Sequence, residues 1–236
     1  MSKKTKKKNQ KEELEDLLDE KTVLDTEDAG APSDEGKQIV IINNIQPPSQ
    51  DEAPLRAINL YGDITEEKGQ EIVSALLYLE STSPVIVSEA VEETTIVNRP
   101  IKLFVSSHGG NVSDMFSIVD VMEMVKENTC DIETVGVGKV MSAGVPILAA
   151  GTKGKRKIGK NCRVMLHGVA SGIGGSIFRL ENELEEIRWI QDKYIECLSA
   201  NTKLSKSKIK KMIRSQKDVY ISAQDAVKYG IVDEII

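Results

Sequence analysis

The chain holds only two histidines, His108 and His167. Any hydrolase chemistry built on a serine nucleophile must take its general base from one of them. His108 sits in Ser106-Ser-His-Gly-Gly110, just after a predicted strand, where paired glycines let backbone N–H groups turn toward a ligand. His167 closes the predicted strand Cys162-Arg-Val-Met-Leu-His167, so its ring is expected to emerge at a sheet edge. The matching serine is Ser142, in Gly136-Val-Gly-Lys-Val-Met-Ser-Ala-Gly144, where a predicted strand gives way to a predicted helix over 143–150. A hydroxyl at such a turn is exposed, and the free amides and positive end of the helix can stabilise an oxyanion. The same serine could instead cap the helix. Ala143 and Gly144 are small enough to admit a substrate backbone, although the motif is not a full Gly-x-Ser-x-Gly.

Other motifs carry less. Gly172-Ile-Gly-Gly175 lacks the full dinucleotide fingerprint, and Gly151-Thr-Lys-Gly-Lys155 lacks the spacing and hydroxyl residue of a phosphate loop. No nucleotide site is expected. The run 153–157 reads as a solvated basic turn, and Trp189 and the cysteines as packing residues. Cys130, Cys162 and Cys197 are odd in number and widely spaced, which indicates neither a disulfide framework nor a zinc site and suits a reducing cytoplasm. A net charge of -6 and a pI near 5.2 argue against a general nucleic-acid binder. No stretch approaches the roughly 20 apolar residues of a membrane span, and the lysines at the start are followed by no apolar run.

Elements that could position these residues appear from Leu55 onward. Segments 57–61, 101–106, 133–138, 162–167 and 219–222 read as strands, and 66–80 and 112–126 as amphipathic helices. A longer helix is predicted over 176–200, with Ile177, Leu180, Leu184, Ile187, Tyr194 and Leu198 as its apolar stripe. The alternation is that of an α/β domain. With 236 residues, 40% of them apolar, one sizeable core plus a tail is expected. Residues 1–54 read as a disordered, charged N-terminal extension, with a lysine cluster, an acidic block and several prolines. Within it, Leu14, Leu17 and Leu18 have helical spacing, and Ile39 to Ile42 could form a strand if covered.

Taken in order, several of these segments resemble the proteolytic subunit of the Clp protease. Ser107-His-Gly-Gly-Asn-Val112 resembles that family's Ser-Pro-Gly-Gly-x-Val loop, Gly138-Lys-Val-Met-Ser-Ala-Gly144 its nucleophile turn, and Arg163-Val-Met-Leu-His167 its Arg-Val-Met-Ile-His strand. Gly151 to Arg156 resembles its Gly-x-Lys-Gly-Lys-Arg connection, and Asp218-Val-Tyr-Ile-Ser-Ala-Gln-Asp-Ala-Val-Lys-Tyr-Gly-Ile-Val-Asp233 the stretch that opens on its catalytic aspartate.

The resemblance implies a ClpP/crotonase-like α/β fold over 55–236, with Ser142 as nucleophile, His167 as general base and Asp218 as the group that orients it. Gly110 and Ala143 would supply the oxyanion amides, the long helix would be the family's handle, and 172–176 its substrate-binding strand. It further implies a homo-oligomeric, heptameric double ring that cleaves unfolded polypeptides, needs no metal or cofactor, and is fed by a separate ATP-dependent AAA+ unfoldase. A silent ring subunit, a dedicated viral maturation protease and a crotonase-like acyl-CoA enzyme are the alternatives. The chain departs from the family pattern where His108 and Val169 replace prolines, where Pro146 enters the nucleophile's helix, and where 81–100 is longer.

Overall fold

The computed structural model describes residues 55–90, 93–172, 174–214 and 217–236. The expected N-terminal extension and the two short segments within it lie outside them. In chain order the elements are β1 (Ala57–Ile64), α1 (Glu66–Ser81), β2 (Pro84–Ala90), β3 (Glu93–Asn98), β4 (Ile101–Gly110), α2 (Val112–Asn128), β5 (Ile132–Met141), α3 (Gly144–Ala149) and β6 (Arg156–Ile158). They continue through β7 (Arg163–Leu166), α4 (Ile177–Asn201), α5 (Lys206–Ile213), β8 (Val219–Ile221), α6 (Ala223–Lys228) and β9 (Glu234–Ile235).

Strands β1, β4, β5, β6 and β9 run parallel in that order. β4 buries Ile101, Leu103 and Val105 at alternate positions, the period of a pleated strand. Helices α1 and α2 return the chain between strands. Their buried stripes, Ile72, Leu76 and Leu79 on one and Met115, Ile118, Met122 and Val125 on the other, have helical spacing. Thr65 Oγ1 accepts from Lys68 N at 3.2 Å and Asn111 Oδ1 from Ser113 N at 2.8 Å, which caps both helix starts.

The fork in β5 positions the site. Its first half pairs with β6, from Thr134 opposite Arg156 to Gly136 opposite Ile158, and its last residues pair with β7, from Lys139 opposite Arg163 to Met141 opposite Met165. Gly138, between the halves, takes a φ of 65°, which a glycine adopts without a Cβ penalty. β8 lies antiparallel to β7, with Leu166 opposite Val219. The ends of β5 and β7 and the start of β8 therefore converge.

Several expectations need correction. The segment 81–100 carries an antiparallel hairpin, β2 with β3, paired from Pro84 opposite Asn98 to Ala90 opposite Glu93; the β-branched residues on both sides were its signal. The basic run is not wholly solvated, because Arg156 is 4% exposed and ion-paired with Asp233. The apolar stripe of α4 is covered only near its end, at Tyr194, Ile195 and Leu198, while Ile177, Phe178, Leu184 and Trp189 are exposed. Trp189 is thus no core residue of this chain, because the first turns of α4 run past the elements that cover the last ones. Among the described residues no helix is long and apolar enough to cross a membrane.

Candidate active site

Ser142 follows β5 directly and has a φ of 50°, the only positive φ outside glycine among the described residues. The left-handed region costs a residue with a Cβ roughly 1–2 kcal/mol, so the surroundings must impose it. They do so from three directions: Ser142 N donates to Met165 O of β7 at 2.9 Å, and Ser142 O accepts from Val145 N of α3 at 3.0 Å and from the Tyr194 hydroxyl of α4 at 3.2 Å. Strain held in this way is common at functional sites.

The N-cap reading of Ser142 does not hold. The cap position of α3 is Ala143, which makes no side-chain cap bond, and the Ser142 hydroxyl instead lies 2.7 Å from His167 Nε2. The late start also accommodates Pro146. It becomes the third helical residue, where the N–H has no intrahelical acceptor in any case.

The paired glycines of the 106–110 segment have steric causes. A Cβ on Gly109, at a φ of 101°, would fall 2.6 Å from Ser142 Cβ, and one on Gly110, at 147°, would overlap the Ile64 backbone. Gly109 therefore lets β4 end against the Ser142 turn, and Gly110 lets it stay paired with β1 to its last residue.

His167 is the first residue after β7 and Asp218 the last before β8. Since Leu166 pairs with Val219, one further antiparallel step sets His167 opposite Asp218. The Nδ1-to-Oδ1 distance is 3.7 Å, and the side chains are 36% and 49% exposed. That separation exceeds a hydrogen bond, so the carboxylate acts on the ring through its charge in this arrangement. The structure thus brings Ser142, His167 and Asp218 together from three strand ends.

A cleft of about 260 Å³ opens over this group, lined among others by His108, Gly110, Ser142, His167, Val169 and Tyr194. His108 stands on its rim with Nδ1 3.9 Å from Asp63 Oδ1, and both side chains are largely exposed. Ala143 is fully buried beside Ser142. A larger hollow of about 870 Å³ lies elsewhere, between α2, α4 and the 151–153 turn. Two cysteines are poor rival nucleophiles, because burial pushes the Cys162 and Cys197 thiols up to about 11. Among the described residues no group of histidine, cysteine and carboxylate side chains is placed to hold a metal ion.

A serine and a histidine joined at the ends of neighbouring strands, with a carboxylate beyond the ring, define an α/β protein of serine-hydrolase geometry. Residues 53–236 match the family model described as Clp protease. The chain belongs to the Clp protease family and is a peptidase of the Clp type.

Sequence reasoning missed the part played by Tyr194, which it placed only in the apolar stripe of the long helix. The available signal was its type: a tyrosine on a buried stripe must find a partner for its hydroxyl. Asp63, beside His108, carried no motif that could have marked it.

Proposed function

We propose that residues 55–236 form a serine endopeptidase domain that cleaves unfolded polypeptides through an acyl-enzyme, with Ser142 as nucleophile, His167 as general base and Asp218 as its orienting partner. The observation that carries the reading is the 2.7 Å contact between Ser142 Oγ and His167 Nε2, in a chain of the Clp protease family.

Ser142 Oγ adds to the scissile carbonyl carbon as its proton passes to Nε2. The imidazolium then returns a proton to the departing amine, and a water repeats the sequence to release the acyl group. Asp218 favours the tautomer with the proton on Nδ1 and stabilises the cation as it forms. An approach of about 1 Å converts its contact into a hydrogen bond, a tightening expected on substrate binding. The oxyanion is received by the N–H groups of Gly110, which lines the cleft, and of Ala143, at the start of α3; one such donor is commonly worth 10²–10³ in rate, as an order of magnitude.

Neither a crotonase-like acyl-CoA enzyme nor a silent ring subunit needs a serine hydroxyl on a histidine nitrogen, so the same contact disfavours both. The family is generally oligomeric and works with AAA+ partners. The uncovered apolar half of α4, with Ile177, Phe178 and Trp189 exposed, supports a homo-oligomer, which we assign to a double ring of heptamers in the cytoplasm. The sequence offers no nucleotide motif, so ATP dependence enters through a separate unfoldase.

The test is Ser142→Ala. Hydrolysis of an activated peptide ester and of an unfolded protein should fall to background while sizing shows unchanged assembly, since the variant removes one hydroxyl and no core volume. Activity at the wild-type rate would remove Ser142 from the mechanism.

A further inference from the structure

The Ser142 carbonyl oxygen carries an unusual load. It accepts from Val145 N at 3.0 Å, inside the turn that it opens, and from the Tyr194 hydroxyl at 3.2 Å, which comes from a helix 52 residues further along the chain. The first bond is local and moves with the turn. The second ties the turn to a distant, fixed point. Tyr194 is 2% exposed and stands with Ile195 and Leu198 in the only buried part of α4, so its ring cannot withdraw without opening the core.

We propose that Tyr194 is a positioning residue for the nucleophile: its hydroxyl, donated to the Ser142 carbonyl, holds the left-handed Ser142 backbone and so keeps Oγ within reach of His167. This rests on Ser142 being the nucleophile. A serine at a φ of 50° gains by relaxing toward negative φ, and that rotation swings the Cα–Cβ bond and carries Oγ away from the imidazole. The opposing force is the set of bonds on the Ser142 peptide groups, of which the tyrosine supplies the one long-range side-chain contact. Burial holds the Tyr194 hydroxyl well above the usual phenol range, so it remains a donor at any pH at which a peptidase of this kind works.

The experiment compares the assembled wild-type protein with Tyr194→Phe, which keeps the ring, and Tyr194→Met, which keeps apolar bulk of another shape. Acylation is read with an activated peptide ester and with a fluorophosphonate. A hydrogen bond of ordinary net strength corresponds to a loss of about three- to tenfold in kcat. KM should stay within about twofold, because the bond touches no substrate. The shape of the pH–rate profile should also stay, since the base is untouched. Both variants should show the loss, which makes it follow the hydroxyl rather than the shape of the side chain.

Asn201→Ala is the control. It removes the Nδ2 bond to Cys197 O, 3.1 Å, in the last turn of the same helix; it should lower the melting temperature and leave kcat alone. A Tyr194→Phe enzyme with wild-type kcat, or an equal loss in Asn201→Ala, overturns the positioning role. If wild-type Ser142 takes no fluorophosphonate label, the nucleophile assignment fails and the role of Tyr194 with it. A labelled wild type with an unaffected Tyr194→Phe removes only the latter.

Discussion

Ser142 adopts a backbone conformation that its own Cβ disfavours, and three neighbours keep it there: Met165, Val145 and Tyr194. The reward of that geometry is a hydroxyl aimed at His167 rather than at the amides of α3. With two histidines on one cleft, the choice of base is open to direct test. His167→Ala should cut the acylation rate by several orders of magnitude at every pH between about 6 and 9, because the serine then lacks a proton acceptor. His108→Pro should change it by no more than about tenfold, provided the Gly110 amide keeps its direction. The rate with an activated peptide ester measures both, and a dead His108→Pro beside an active His167→Ala would reverse the assignment. At this scale local motifs marked Ser142 as a candidate and left two histidines open, and only the resemblance chose His167. Asp218 was legible only through resemblance, because its placement depends on the antiparallel step between β7 and β8, which no spacing encodes.

Among the elements, α3 is fully enclosed and tied to its neighbours by side chains. Every residue from Gly144 to Ala149 is buried, and the carbonyls at its end meet side chains from other elements: Leu148 O accepts from Thr134 Oγ1 at 2.7 Å, Ala149 O from Arg156 Nη1 at 3.1 Å and Ala150 O from Lys126 Nζ at 2.7 Å. Two of those donors are cations, the favourable sign at a helix C-terminus. Arg156 is in turn fixed by Asp233, with Nη2 to Oδ1 at 2.6 Å and Nε to Oδ2 at 2.9 Å. The Arg156 hydrogen bond holds the Asp233 carboxyl below the usual carboxylate range, against a smaller opposing effect of burial.

A depressed native pKa contributes stability that is complete above the unfolded value, about 3.9, and lost as pH falls through the native one. Asp233→Asn should therefore destabilise the domain by about 2 kcal/mol at pH 7, since it takes the carboxylate from a buried guanidinium that keeps its bonds to Ala149 O and Asn201 O. The gap should close only below about pH 4. Denaturant titrations at several pH values check this, and a gap unchanged at low pH would contradict it. The larger strands and helices were legible from period and caps. The fork of β5 and the burial of Arg156 were not, because each is decided by partners distant in sequence, whereas the β2–β3 hairpin is local and its β-branched residues went unread.

At the scale of the whole domain, the first anchored residue among the described ones is Arg56, whose guanidinium donates to Leu79 O at 2.7 Å and to Pro100 O at 3.3 Å. Removal of residues 1–54 should leave a folded domain that is active on short peptides, whereas removal through residue 56 should lower its melting temperature by several degrees. Circular dichroism melts and peptide hydrolysis distinguish the two, and failure of the shorter truncation to fold would extend the domain toward the N-terminus. The exposed half of α4 shows what the sequence stripe leaves open: the helix period reports an apolar face but not how much of it is covered.

The most direct measurement is fluorophosphonate labelling of the full chain followed by intact-mass and peptide analysis. A single adduct on Ser142, absent in Ser142→Ala and strongly slowed in His167→Ala, is the predicted result. No adduct in the assembled wild-type protein, or an adduct on another residue with Ser142 unmodified, would contradict it.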